Sequence, residues 1–307
     1  MTRYRLYGLV VESDFELPAQ ETGRGPADLT VRSAGFGPVP NDAPDGTLLA
    51  RRDVQGVRYF ATKTEDGYVI RYPDVCDAVV NAELDSIDFY CPDESTQPLA
   101  HAVFVGNVMS KVMMLAGGCV LHASAVAYDG KGFAFIGPPG AGKTTVASMI
   151  CSVGGRLVTD DVLRLVEHED GWHAPPGTSQ LRLRKTAASL AETLGGSTER
   201  TVDERTGVSL PLADDVHIAA LVFPWPSRDI SAVELTAVTQ EDALMQLTRF
   251  PRIAGWTDHE VLARNFRWNA RLARELPCCE ARIPWGPPFR PEISNELVLR
   301  LTEHVSA

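Results

Sequence analysis

Apolar and polar positions alternate in short runs through the first hundred residues. Strands are predicted over Tyr4 to Val11, Leu29 to Ser33, Thr47 to Arg51, Val57 to Thr62 and Gly67 to Tyr72, with Gly-, Pro-, Asp- and Asn-rich turns between them. From Pro98 the period lengthens, and a helix over Leu99 to Ala116 is stopped by Gly117-Gly118. Two apolar runs, Cys119 to Tyr128 and Gly132 to Ile136, flank Asp129-Gly130, which predicts a tight hairpin. A glycine-rich loop, a helix from Lys143 to Val153 and a strand over Arg156 to Thr159 follow. Strand-like pieces come next at Val162 to Glu167 and Gln180 to Arg184, then a helical stretch near Thr186 to Leu194. The polar segment 192–207 carries no apolar period and reads as a loop. The pattern divides into a small β-rich domain, residues 1–98, and an α/β domain, residues 99–307.

Composition narrows the class. The 307 residues are 44% hydrophobic, enough for a core and, at about 150 residues per domain, for two domains. The longest apolar run, near Val103 to Leu121, is interrupted around His101, Asn107, Lys111 and Gly117-Gly118, short of the ~20 clean residues that span a bilayer. A buried helix is expected there, and no membrane partner. The opening residues lack a secretory pattern, so the expected location is the cytoplasm. Cysteines at 76, 91, 119, 151, 278 and 279 form no CxxC pair and no zinc spacing with the seven histidines; they read as reduced packing residues. Net charge is −11, with 9 basic and 17 acidic residues in 1–98, which argues against nucleic acid as a partner. An anionic ligand must be met locally in the second half.

That local site is legible. Gly137-Pro138-Pro139-Gly140-Ala141-Gly142-Lys143-Thr144, followed by Thr145, fits GxxxxGK[ST] between an apolar strand and a helix. Glycines let backbone N–H groups curl around phosphate oxygens, and the helix presents its positive end to the anion. Lys143 is placed for the terminal phosphates and the Thr144 hydroxyl for magnesium. The expected cofactors are a nucleoside triphosphate, taken as ATP with GTP left open, and Mg2+. Phosphate loops serve switches, motors and kinases alike, so neighbouring residues must discriminate. The strand Ile218 to Phe223 ends in Pro224-Trp225-Pro226 rather than an acid, and Asp160-Asp161 alone closes an apolar strand soon after the loop. Two carboxylates there can divide metal binding from proton acceptance.

His122 stands 15 positions before Gly137, and Asp160 follows Lys143 by 17. His122, the loop and the Asp pair together resemble the HPr kinase family, whose kinase domain is akin in fold to phosphoenolpyruvate carboxykinase. The resemblance covers residues 119–166 well and the rest of 99–307 loosely. It implies a P-loop kinase domain with Asp160 as base, Asp161 and Thr144 at the metal, and His122 orienting a phosphate oxygen or the Asp160 carboxylate. Where HPr kinases carry an acid in a second signature, this chain has Gln180-Leu-Arg-Leu-Arg-Lys185. HPr is therefore not the expected substrate. The front domain, opening Tyr4-Arg-Leu-Tyr-Gly-Leu-Val-Val-Glu, is more similar to that of the lasso peptide kinases, which implies a serine in a precursor peptide as acceptor. A small hydroxyl compound or free amino acid is the alternative acceptor, and a nucleotide-dependent ATPase or switch the alternative activity.

Two cationic features complete the reading. Arg182 and Arg184 alternate with Leu181 and Leu183, one strand face apolar and the other cationic, either a solvent-facing edge or a face placed to stabilise a transferring phosphoryl group or grip an acceptor carboxylate. Thr257-Asp-His-Glu260 reads as a capping box. It opens a helix with Arg264, Arg267, Arg271 and Arg274 opposite Leu262, Phe266, Leu272 and Leu276, a solvated face or a surface for an acidic peptide. Trp256, Trp268 and Trp285 are expected in the core or a groove wall. A homo-oligomer is compatible with the sequence.

Overall fold

The computed structural model describes residues 1–23, 25–54, 57–201 and 204–305. The chain is mixed α/β and forms two compact units, one of residues 1–119 with 253–265, the other of 120–252 with 266–307.

The first unit is built on a nine-stranded sheet ordered β3-β1-β2-β4-β9-β8-β7-β6-β5. Its strands are β1 (Thr2–Leu6), β2 (Leu9–Ser13), β3 (Gln20–Glu21), β4 (Leu29–Phe36), β5 (Thr47–Val54), β6 (Val57–Lys63), β7 (Gly67–Tyr72), β8 (Cys76–Asn81) and β9 (Ser86–Cys91). The single strand expected over 4–11 is a hairpin, because Tyr7 and Gly8 both adopt positive φ, 54° and 77°, and reverse the chain. Strands β8 and β9 extend the expected set; Cys76, Ala78 and Val80, then Ile87, Phe89 and Cys91, alternate into the core.

Helices α1 (Gln97–Val103) and α2 (Met109–Leu115) form one helical run through a π-helical turn at Phe104–Val108. By length and composition the stretch Glu94–Leu115 could cross a membrane, yet over half of it is buried in the protein. Lys111 shows why it suits this core: fully buried, it donates to the Tyr72 hydroxyl at 2.7 Å and lies 3.8 Å from the Tyr59 ring centroid. Tyr7 binds the same run, donating to the Val105 carbonyl at 3.2 Å. These contacts move the unit boundary from the expected 98/99 to 119/120, since the helix packs with the front sheet.

The second unit holds a sheet ordered β10-β14-β15-β19-β12-β11-β13, with β21 (Cys278–Pro284) parallel to β19 and β20 (Glu234–Ala237) antiparallel to β21. The path strands are β10 (Cys119–Leu121), β11 (Ala123–Tyr128), β12 (Lys131–Ile136), β13 (Arg156–Thr159), β14 (Leu163–His168), β15 (Gly171–Ala174) and β19 (Val216–Ser227). Asp129 and Gly130 turn β11 into β12 with φ of 49° and 72°, as their sequence predicts. Strand β19 runs on through Pro224 and Pro226 beside β21, so those prolines do not end it. A smaller antiparallel sheet is ordered β16 (Gln180–Leu183), β18 (Thr206–Ser209), β17 (Ser197–Arg200). The segment expected as a loop over 192–207 therefore contains β17 and the start of β18. Every β17 side chain is exposed, so no apolar period announces it.

Helix α3 (Lys143–Cys151) packs on this sheet, burying Val146, Ala147, Met149 and Ile150 against Phe133, Phe135 and Leu157. Helix α4 (Ala191–Leu194) continues a 3-10 turn, and α5 (Gln240–Arg249), α6 (His259–Glu275) and α7 (Pro291–His304) complete the helices of the described residues. Helix α6 is capped by Asp258, which accepts from the Val261 N–H at 2.8 Å. Thr257, expected as the cap, donates instead to the Leu49 carbonyl at 3.0 Å. The face expected to be apolar is divided: Leu272 and Leu276 are buried, whereas Leu262 and Phe266 are exposed. Nor is the arginine stripe free, since Arg264 donates to the Met114 carbonyl at 2.8 Å. Arg271 pairs with Glu167 and Glu275 at 2.7 and 3.2 Å and lies over the Trp172 and Trp268 rings.

Candidate active site

The loop between β12 and α3 places the predicted motif. Gly137 is buried, while Pro138, Pro139 and Gly140 are exposed at the loop tip. Gly140 and Gly142 hold φ of 95° and 86°, backbone that glycine adopts without a Cβ penalty. At Gly142 the requirement is doubled, since a Cβ would lie 2.4 Å from the Trp285 ring. Ala141 donates its N–H to the Pro138 carbonyl at 3.1 Å, and Val146 makes the first full helical bond to Gly142 at 2.8 Å. The amides at the start of α3 thus face the loop, with the helix dipole behind them. Thr145, grouped with the loop in the sequence, is buried on α3.

Lys143 lies beneath the loop, 7% exposed, donating to the carbonyls of Gly137 at 2.9 Å and Pro138 at 3.2 Å. Burial pulls its pKa from 10.5 down to about 8, although Asp161 and Asp160 act in the opposite direction. Only the ammonium form attracts phosphate. The Michaelis constant for nucleotide should therefore rise as pH increases through about 8, as the fraction charged before binding falls. An unchanged constant across that range would show that Lys143 does not meet the phosphates.

The Asp pair closes β13, and its two side chains have different partners. Asp160 is 6% exposed and accepts from Ser124 Oγ at 2.5 Å, Thr144 Oγ1 at 2.9 Å and the Arg182 N–H at 3.2 Å. Ser124 reaches it from β11, the strand between β12 and β13. Burial raises the Asp160 pKa and Asp161 adds to the rise, against the pull of the Ser124 hydroxyl, the Arg182 N–H and the Thr144 hydroxyl. Asp161 adopts φ of 71°, uncommon for a residue other than glycine, and its side chain is 43% exposed. Its carboxylate lies 3.2 Å from His122 Nδ1 and 3.2 Å from Arg252 Nη2. Burial works to raise its pKa, but Arg252, His122 and Arg182 outweigh that and hold it well below the carboxylate range.

His122 donates from Nδ1 to the Asp161 carbonyl at 3.0 Å, so its partner is Asp161 rather than the expected Asp160. Arg182 is half-buried between buried Leu181 and Leu183, and exposed Arg184 brings Nη1 to 3.6 Å from where a Cβ on Gly140 would stand. Ser124 and Arg252 were not singled out in the sequence. Arg252 follows α5 and is delivered by a bridge between Leu121 and Pro251, a long-range pairing with no local pattern. Trp285 reaches Gly142 from the end of β21, its ring edge-on to Phe289 at 5.4 Å.

The arrangement has two sides. A hydroxyl and a buried carboxylate, Thr144 and Asp160, meet beside the buried lysine; this all-oxygen pair fits a hydrated magnesium ion. Asp161, partly exposed, forms a second group with the more covered His122 and Arg252.

No family model matches the chain, and no curated protein matches it in sequence. Among solved structures it is similar to the HPr(Ser) kinase/phosphatase from Coxiella burnetii, with a TM-score of 0.34 and 10% identity over 61% of this chain and 99% of that one. That likeness is loose and low in identity, and nothing in it is specific to peptide natural products.

Proposed function

We propose that the chain is a magnesium- and ATP-dependent phosphotransferase that moves the γ-phosphoryl group to a hydroxyl. The observation that supports the reading best is the bond of the Thr144 hydroxyl to the buried Asp160 carboxylate, next to Lys143 at the mouth of the phosphate loop. In P-loop enzymes the loop hydroxyl and an acid share the metal. Magnesium held there by Thr144 and Asp160 would supply charge neutralisation on the triphosphate. The loop amides and Lys143 would meet the same oxygens, Lys143 exchanging its bonds to the Gly137 and Pro138 carbonyls for phosphate.

The contacts support the opposite division of the Asp pair from the one the family pattern implies. Asp160, tied to Thr144, belongs with the metal. Asp161, facing His122 and with its side chain partly exposed, accepts the proton of the acceptor hydroxyl late, once bonding to phosphorus has made that hydroxyl acidic, because Arg252 and His122, which orient its carboxylate, also keep it weakly basic. Arg182 and Arg184 stabilise charge on the transferring group.

The acceptor proposed is a serine of a precursor peptide, as the sequence resemblance implies, with the hydroxyl of a free amino acid or other small compound as the runner-up. A competition assay separates them: peptides carrying serine, free serine and HPr are offered together with ATP, and phosphorylated products are read by mass spectrometry. Phosphate on a peptide serine is expected. Phosphate on free serine alone would select the runner-up, and phosphate on HPr alone would return the chain to the parent family's substrate.

A further inference from the structure

At the other end of β12 from the phosphate loop, the second unit gathers three of the chain's seven histidines on one sheet face. His173 on β15 is paired in register with His217 on β19, and His168 lies two positions beyond Val166, the β14 partner of His173. The His168 and His173 rings stack at 4.3 Å and 16°, and His217 stands edge-on to His173 at 5.5 Å. Asp215 joins them, its Oδ1 2.7 Å from His173 Nδ1. The nitrogens of His168 and His173 and a carboxylate oxygen of Asp215 all lie within 4.8 Å of one another. None of this is visible as a sequence spacing, because the three ligands come from β14, β15 and the approach to β19.

We propose that His168, His173 and Asp215 bind one divalent transition-metal ion of the zinc class, fastening the β14–β15 hairpin to β19. Two imidazoles and one carboxylate suit zinc, cobalt or nickel rather than magnesium or calcium, which take oxygen ligands. Bonds of about 2.0 Å in a tetrahedron set ligand atoms about 3.3 Å apart. The His173–Asp215 pair must therefore open slightly, and the other two separations, each already within 4.8 Å, settle to the same value. His168 is exposed and the Asp215 side chain is 41% exposed, so both can swing by that amount.

The outer partner is already in place. Asp170 Oδ1 lies 3.0 Å from His173 Nε2, so with Nδ1 on the ion the Nε2–H donates to Asp170, the carboxylate–histidine–metal relay that fixes ring orientation. A cleft lined by His173, Asp215 and His217 leaves a way in and room for water at a fourth position. Gly171 belongs to the same design, since a Cβ there would stand 2.9 Å from His217 Nε2.

The test uses full-length protein stripped with a chelator and titrated with Co2+, then Zn2+, in excess Mg2+ and without nucleotide. One Co2+ per chain is expected, with the visible bands of a nitrogen and oxygen ligand set, displaced by Zn2+. Zinc should also raise the thermal midpoint, because it binds the folded state. His168→Gln and Asp215→Asn should each weaken binding by at least about 100-fold and abolish the zinc-induced rise. Asp170→Asn, which acts through His173, should cost about tenfold at unchanged stoichiometry. Circular dichroism of the metal-free variants checks that they are folded. Absence of stoichiometric binding to the wild type, unchanged binding in the folded His168 and Asp215 variants, or the sulfur charge-transfer bands of a cysteine site would each overturn the proposal.

Discussion

Lys143→Ala and Thr144→Ala should each lower magnesium-nucleotide turnover by at least about 100-fold, the scale for removing one preorganised stabiliser of developing charge. The far-ultraviolet spectrum and thermal midpoint should stay near wild type. Lys143 is buried, but its bonds go to loop carbonyls rather than into the α3 core, and Thr144 touches Asp160 at the loop mouth. Neither side chain belongs to the cluster around Phe133, Phe135, Val146 and Ile150 that holds α3 to the sheet. Wild-type turnover in either purified variant would remove the kinase reading.

The Asp pair gives the second large effect and separates two assignments that the sequence alone does not. Asp161→Asn should reduce phosphoryl transfer at saturating nucleotide and magnesium by about 100-fold or more, the range for losing a positioned base, while nucleotide affinity holds. Asp160→Asn should instead raise the magnesium concentration needed for half-maximal rate. The amide oxygen can still accept from Ser124 and Thr144, whereas the Arg182 N–H then faces an NH2 and loses its acceptor, so circular dichroism of the variant accompanies the rate measurement. The reverse outcome, with rate lost in Asp160→Asn and magnesium affinity lost in Asp161→Asn, would restore the roles implied by the family pattern.

What the sequence showed clearly is what is contiguous. The strand, the loop from Gly137 to Thr144 and helix α3 are successive in the chain, and their hydrophobic period and glycine spacing announce them together. The hairpin at Asp129-Gly130 is equally local. The Asp pair was legible because it ends an apolar strand, but the direction each carboxylate takes was not. That depends on the left-handed backbone at Asp161 and on Ser124, which reaches the pair from the neighbouring strand β11. Arg252 was hidden because a long-range pairing, the Leu121–Pro251 bridge, brings it to the site. Strand β17 was hidden because all its side chains face solvent, and the exposed Leu262 and Phe266 show that helical spacing does not identify which apolar residues are covered. The histidine cluster lies beyond sequence reading for the same reason as Arg252, since its ligands meet only across a folded sheet.

The central claim is that phosphoryl leaves ATP for a hydroxyl rather than for water. The direct measurement is the fate of label from γ-labelled ATP, followed over one turnover with magnesium and the acceptor panel, in the wild type and in Lys143→Ala. Label should appear as a phosphate ester on an acceptor hydroxyl in the wild type and be lost with Lys143. Label recovered only as inorganic phosphate, at a rate indifferent to every acceptor, would contradict the account and identify the site as that of an ATPase.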